Sequence, residues 1–224
     1  MEILCIIPAR GGSKGIKNKN LVKLAHKPLL HYTISSALDS NVTMKIIVSS
    51  DNDKIISFAK KYKIQYIKRP KNLSNSKTSL EPVMNHTLKY LNKHENYKPD
   101  VIILLQNTSP LRTAYHVRSA LRFFKSRKFD SVLSGFKSHY FLWEEKKQLA
   151  IPKNYDPKNR PNRQSMKTQF VENGAIYITK YSSFLKSNCR ISGKIGMYEM
   201  KESESIDIDT KFDLFFAEKL IKTI

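Results

Sequence analysis

Cysteine, glycine and acidic side chains are all scarce in this sequence. Its two cysteines, Cys5 and Cys189, are too few for a disulfide-stapled scaffold, and neither has a His or Cys neighbour at zinc-ligand spacing. The six histidines form no HExxH-type pair, so that metallohydrolase signature is absent. With only seven glycines and no low-complexity stretch, the chain reads as globular, neither fibrous nor disordered. No apolar run approaches the roughly 20 residues that span a bilayer. The opening run, ILCIIPA after a single acidic residue, lacks the basic start, longer apolar stretch and cleavage site of a secretory leader. A cytoplasmic protein without a membrane partner is expected. Asp and Glu number 19 against 40 Lys and Arg, a formal charge of +21. That excess suits polyanions, either nucleic acid or phosphorylated and carboxylated small molecules. The lysines are scattered rather than gathered into an arm or recognition helix, as on a solvated basic surface, so nucleic acid is not the expected partner.

Hydrophobic residues make up 40% of the 224, enough for one domain with a sizeable core. Residues 2–8, 45–49 and 101–105 are continuous apolar runs, which suit strands of a parallel sheet covered on both faces. Between them the apolar spacing is helical: Leu80, Val83, Met84, Leu88 and Leu91 behind a capping Ser79, then Val117, Leu121 and Phe124. Pro82 is tolerated in the first turn. Thr210 with Asp213 predicts a capping box opening a helix over residues 211–222. This alternation predicts an α/β fold, a Rossmann-like, mostly parallel sheet with helices on both faces and ligands beyond the C-terminal strand ends. Polar residues 138–167, with Pro152, Pro157 and Pro161, interrupt the alternation and read as an inserted arm within a single domain.

The first strand runs directly into IPARGGSKGIKNKN. Gly11, Gly12 and Gly15 let the backbone wrap an anion, Arg10, Lys14, Lys17 and Lys19 supply positive charge, and Ser13 adds a donor. Neither the P-loop spacing nor G-x-G-x-x-G can be drawn on it. A generic basic turn is the plain alternative for the loop taken alone. The pattern IPAR-x-x-SKG followed by K-N resembles the acylneuraminate cytidylyltransferases, or CMP-sialic acid synthetases. The resemblance implies a nucleotide-diphospho-sugar transferase type of fold and places Arg10, Gly11, Ser13, Lys14, Lys19 and Asn20 on CTP. Arg10 and Lys19 would stabilise charge developing on the α-phosphate and the departing pyrophosphate.

The likeness continues along the chain. VSSD at residues 48–51 ends a strand as in the family. Arg69-Pro70 and the Ser/Thr-rich stretch after it resemble the cytosine-binding segment, implying roles for Arg69, Thr78 and Leu80. This chain has Ser76-Lys77 where many members carry an acidic residue. LLQNTSPLR at residues 104–112 resembles LLQ-x-TSPLR and assigns Gln106 to the sugar acid, with Asn107 in place of the usual proline. Its polar residues would lie at the mouth of the site, although Ser109-Pro110 also suits a capped turn. VENGAIYIT at residues 171–179 resembles the NGAIYI strand, with Asn173 and Gly174 shaping the sugar-acid pocket. Arg163 is the candidate for the sugar carboxylate, since a guanidinium fork matches it; a solvated arginine in a polar arm is the alternative.

SIDIDT at residues 205–210 carries the sharpest chemistry. In an extended segment Asp207 and Asp209 share one side, while Ile206 and Ile208 can anchor on the other. Two carboxylates held together repel unless a cation intervenes, and beside a nucleotide Mg²⁺ is the natural one. The family assigns the matching aspartates to Mg²⁺. The implied reaction joins CMP from CTP to a nine-carbon 2-keto sugar acid of sialic, legionaminic or pseudaminic type and releases pyrophosphate. Asp209 could also take the attacking proton, directly or through water. A Kdo cytidylyltransferase is an alternative whose relatives lack the SKG…KN loop, and a basic nucleic-acid-binding protein is another. Sialic acid enzymes often carry two aromatics after the Asn-Cys pair, where this chain has Arg190-Ile191. The family is usually dimeric, with an arm of one subunit reaching the other's sugar pocket.

Overall fold

The computed structural model describes residues 1–13 and 15–221. Strands β1 (Ile3–Pro8), β2 (Lys23–Leu24), β3 (Lys27–Pro28), β4 (Lys45–Ser50), β5 (Gln65–Lys68), β6 (Val101–Leu105), β7 (Ser131–Ser138), β8 (Trp143–Lys146), β9 (Leu149–Pro152), β10 (Gln169–Lys180) and β11 (Ile195–Glu199) make three sheets. The helices are α1 (Leu29–Leu38), α2 (Asp53–Lys61), α3 (Leu80–Glu95), α4 (Ala114–Ser126), α5 (Tyr181–Ser187) and α6 (Lys211–Ile221).

The main sheet has the order β11-β7-β10-β6-β1-β4-β5. All its strands run parallel except β10, which is antiparallel to both β6 and β7. Because side chains alternate along a strand, β1 sends Ile3, Cys5 and Ile7 into one core with α1, α2 and α4. Leu4 and Ile6 enter a second core on the opposite face with α3 and α5. Both faces are therefore covered, as the continuous apolar runs predict. A third, small cluster joins Ile16, Leu24, Leu29, Ile208 and Ala217, and fastens α6 beside the first loop.

Local chemistry sets the element ends. Asn52 Oδ1 accepts from the backbone N–H groups of Lys54 (2.9 Å) and Ile55 (3.3 Å) to cap α2. Thr210 and Asp213 form the expected capping box: the Thr210 N–H donates to Asp213 Oδ2 (2.7 Å) and the Asp213 N–H to Thr210 Oγ1 (3.2 Å). Lys222, placed by the sequence in that last helix, lies outside the described residues. Ser109-Pro110 does not cap the next helix. That helix begins at Ala114 behind Thr113, and His116 closes the box by accepting from the Thr113 N–H at 3.0 Å. Cys5 is fully buried, and burial pushes its thiol up to about 12, as befits a core side chain.

Between Ser138 and Gln169 the chain leaves the main sheet. Here β8 and β9 pair only with each other and carry exposed Trp143, Leu149 and Ile151, with exposed Leu142 just before β8.

Candidate active site

Strand order reverses direction beside β1: the chain passes from β1 to β4 and β5 on one side, then returns to β6 on the other. Such a switch leaves a crevice beyond the C-terminal strand ends. A cleft of about 290 Å³ opens there, lined by Pro8 at the end of β1 and by Gln106, Asn107 and Thr108 after β6. Ten of the residues assigned a binding or metal role from the sequence line it: Arg10, Ser13, Lys19, Asn20, Arg69, Thr78, Leu80, Gln106, Asp207 and Asp209.

One wall is the glycine-bearing loop. The Gly11 N–H donates to Asp51 Oδ1 at 2.9 Å, which ties the loop to the end of β4; Gly11, expected on CTP, does not itself line the cleft. Buried Asn20 donates to the Arg10 carbonyl at 2.8 Å. The Arg10 guanidinium reaches across to the Asn75 carbonyl, also at 2.8 Å, joining the loop to the 72–79 stretch. A Cβ on Gly15 would stand 2.4 Å from the Asp209 carbonyl oxygen, so only glycine lets the loop approach the aspartates this closely. Lys14, expected on the phosphates, lies outside the described residues.

Lys19 joins that loop to the acidic pair. Its Nζ donates to the Ile208 carbonyl and to Asp209 Oδ1, both at 2.8 Å, across a sequence separation of about 190 residues. An ammonium has three donors, so one remains for a ligand oxygen. Ile208 is fully buried and Ile206 packs on the same small cluster, which turns Asp207 and Asp209 towards the cleft. Asp207 is open to the cleft yet surrounded by protein on its other sides. Burial, then the charge of Asp209, raises its carboxyl above the ordinary value against the pull of a Thr108 hydrogen bond. A raised, unpaired carboxyl beside a second one is the donor set a hard cation relieves, and Mg²⁺ accepts two carboxylates while keeping sites for phosphate and water. The residues fit that ion. Among the described residues no cluster of three or more His, Cys, Asp or Glu could hold a metal by itself, so phosphate and water would complete its coordination.

Arg69 forms the far wall. It is 5% exposed, and its Nε and Nη2 have no hydrogen-bond partner. Burial lowers its pKa, Asp51 opposes that, and Arg10 adds to it. A buried guanidinium with free donors next to another guanidinium favours an incoming acceptor or anion.

Asn173, Gly174, Arg163 and Arg112, all expected at the site, do not line the cleft of this chain. Asn173 is 3% exposed and does not line the cleft; all its amide groups are used on internal partners. Gly174 touches the site only from behind: its φ is +68°, and an added Cβ would lie 2.5 Å from Gln106 Oε1. It sits where the pairing of β10 with β7 shifts register, between Glu172 and Tyr177. Arg163 is exposed on the arm, outside the cleft lining. Arg112 is not at the mouth but 2% exposed, donating to the carbonyls of Gln106 and Ala175 (2.9 Å each) and to Ser36 Oγ (3.2 Å). Burial draws its pKa down to about 10.

Two residues placed at the mouth by the sequence, but without a role, also line the cleft. Asn107 donates to the Pro8 carbonyl at 3.0 Å and leaves its Oδ1 without a partner in the cleft wall. Thr108 holds Asp207 through its side chain and accepts from the Ile208 N–H through its carbonyl at 2.8 Å. Both lie inside the LLQNTSPLR stretch, where their polarity was the available signal.

Comparison with known proteins gives consistent results. The family model described as cytidylyltransferase matches residues 4–223. An N-acylneuraminate cytidylyltransferase of Oncorhynchus mykiss is 35% identical over 98% of this chain and 50% of that protein. The one of Escherichia coli O18:K1:H7 is 32% identical over 96% of this chain and 51% of its own length. This chain thus spans about half the length of those two relatives. Post-translational flagellin modification protein B of Campylobacter coli is 32% identical, over 99% of this chain and 95% of that protein. In fold, the chain is similar to a CMP:2-keto-3-deoxy-manno-octonic acid synthetase complexed with CTP, with a TM-score of 0.71 at 16% identity, covering 100% of this chain and 99% of that one. It is also similar to the 4-diphosphocytidyl-2C-methyl-D-erythritol synthase of Anaerococcus prevotii, with a TM-score of 0.67 at 16% identity, covering 99% and 98%.

Proposed function

The chain belongs to the cytidylyltransferase family, and from that premise we propose that it transfers CMP from CTP to the anomeric hydroxyl of a nine-carbon 2-keto sugar acid. The observation that carries this reading is the Lys19–Asp209 contact at 2.8 Å, which brings a phosphate-type loop and a carboxylate pair into one cleft.

In this reading the triphosphate lies along the first loop, with Arg10, the Gly11 and Ser13 region, Lys14, Lys19 and Asn20 around its oxygens. The base lies between Arg69 and the backbone near Thr78 and Leu80. The sugar acid stands beside Gln106, whose side chain is placed by the close approach of Gly174. Its hydroxyl attacks the α-phosphorus in line, the new O–P bond forms, and the bond to the β-phosphate oxygen breaks to release pyrophosphate. Arg10 and the free N–H of Lys19 face the charge that grows on the transferred and departing phosphates. Asp209 accepts the hydroxyl proton, directly or through water. Asp207 and Asp209 would hold Mg²⁺, which when bound would neutralise phosphate charge and lower the pKa of a nearby hydroxyl. The reaction is assigned to the cytoplasm, where CTP is available.

A homodimer completes the proposal. Arg163 is remote from the cleft of its own chain, and the arm carries exposed apolar residues such as Trp143 (50%) and Leu149 (67%). A partner's arm could bring a guanidinium to the acceptor carboxylate.

Pyrophosphate release from CTP and Mg²⁺ with a panel of nine-carbon acids plus Kdo tests the reading. We expect turnover with one nine-carbon acid and a loss on the order of 100-fold or more in Asp209→Ala. A folded chain inactive with every nine-carbon acid would sink the proposal, and a preference for Kdo would reassign the acceptor.

A further inference from the structure

We infer that Asn173 is a positioning residue for Asp207 of the acidic pair, acting through Ser205, and makes no contact with the substrate. The inference rests on reading Asp207 and Asp209 as the cation-binding groups of the proposed reaction.

Asn173 sits at the register shift in β10, and the backbone turn at Gly174 directs its side chain inward. Its Oδ1 accepts from the Ala175 N–H at 3.1 Å and from Ser134 Oγ at 2.6 Å. Its Nδ2 donates to Ser205 Oγ at 2.9 Å, and the Ser205 hydroxyl hydrogen goes to the Lys201 carbonyl at 2.8 Å. The amide orientation is therefore fixed at both ends, because a backbone N–H can only donate and a carbonyl can only accept. Even the Asn173 carbonyl is held, by Ser109 Oγ at 3.2 Å.

Ser205 lies two residues before Asp207. On the far side of Asp207, the Ile208 N–H donates to the Thr108 carbonyl and the Ile208 side chain is locked in the core. Asp207 is thus strung between two anchors, and Asn173 supplies the first. Asp209 has its own support in Lys19 and the Asp213 capping box. Loss of the first anchor should therefore register at Asp207 and leave Asp209 in place.

The test is Mn²⁺ binding to the protein–CTP complex without an acceptor, followed by electron paramagnetic resonance, alongside steady-state kinetics. Ser205→Ala and Asn173→Asp should each weaken Mn²⁺ binding about tenfold, lower kcat and leave KM for the sugar acid near wild type. Ser205→Thr, which keeps the hydroxyl, should restore binding. In an Asp207→Ala background, Ser205→Ala should add no further loss. Wild-type Mn²⁺ binding by Ser205→Ala, equal losses with and without Asp207, or an Asn173→Asp effect confined to KM for the acid would each overturn the inference. A wild-type chain that binds Mn²⁺ and CTP yet releases no pyrophosphate would defeat the proposed reaction alone, since the binding titration still decides the positioning role.

Discussion

At the scale of single residues, the site depends on side chains that never reach its surface. Gly174 takes a φ of +68° and leaves no room for a Cβ beside Gln106 Oε1. Gly174→Ala should cost about 1–2 kcal/mol of stability, read from the urea midpoint. It should also raise KM for the sugar acid, because Gln106 must move, while KM for CTP stays near wild type. Arg112 acts similarly in tying the Gln106 carbonyl to that of Ala175. These roles could not be read from residue type. An arginine or asparagine in a polar motif looks the same whether it meets a ligand or a backbone carbonyl, and only burial distinguishes them.

Among the elements, the first turn of α3 is fastened to the turn after α5. Arg190 Nη1 lies 2.5 Å from Glu81 Oε1, and the guanidinium stands 4.7 Å from the centre of the Tyr177 ring. Burial works against the charged form of Glu81, but its own backbone N–H and Arg190 outweigh it and hold its pKa below the ordinary glutamate value. A depressed carboxyl pKa means that the unfolded state binds the proton first. The pair's contribution is therefore complete above the unfolded value and is lost as pH falls through the folded one. Glu81→Gln should cost about 1.5–3 kcal/mol at neutral pH, and its unfolding curve should converge with that of wild type as the solution is acidified from the unfolded carboxyl's pKa down through the depressed folded one. A difference that persists unchanged into strong acid would assign the loss to packing. Other element ends were legible beforehand: the Thr210–Asp213 box depends on neighbours three residues apart, whereas the Glu81–Arg190 pair spans 109 residues of sequence.

At the scale of the whole molecule, the arm leaves apolar Trp143 and Leu149 exposed. If a partner's arm supplies Arg163, a mixture of Asp209→Ala and Arg163→Ala chains should regain activity that neither has alone, because a mixed dimer contains one intact site. Sedimentation equilibrium should show a dimer that Trp143→Ser and Leu149→Ser weaken together. A fully active monomer, or mixtures no better than their parts, would remove the arm from the site.

The sequence by itself determined the alternation of buried strands and helices, the anion-binding character of the first loop and the carboxylate pair. Each of these is written in short-range spacing: period two in SIDID, helical spacing in α3 and α4, and glycines among cations after β1. The tertiary structure alone decided which of those groups meet. It placed Lys19 against Asp209, withdrew Asn173 and Arg112 into the interior, left Arg163 outside and brought Asn107 and Thr108 to the wall. The physical reason is that a side chain's partners are set by the sheet order and by a register shift in one antiparallel strand, and both arise from packing between segments far apart in sequence.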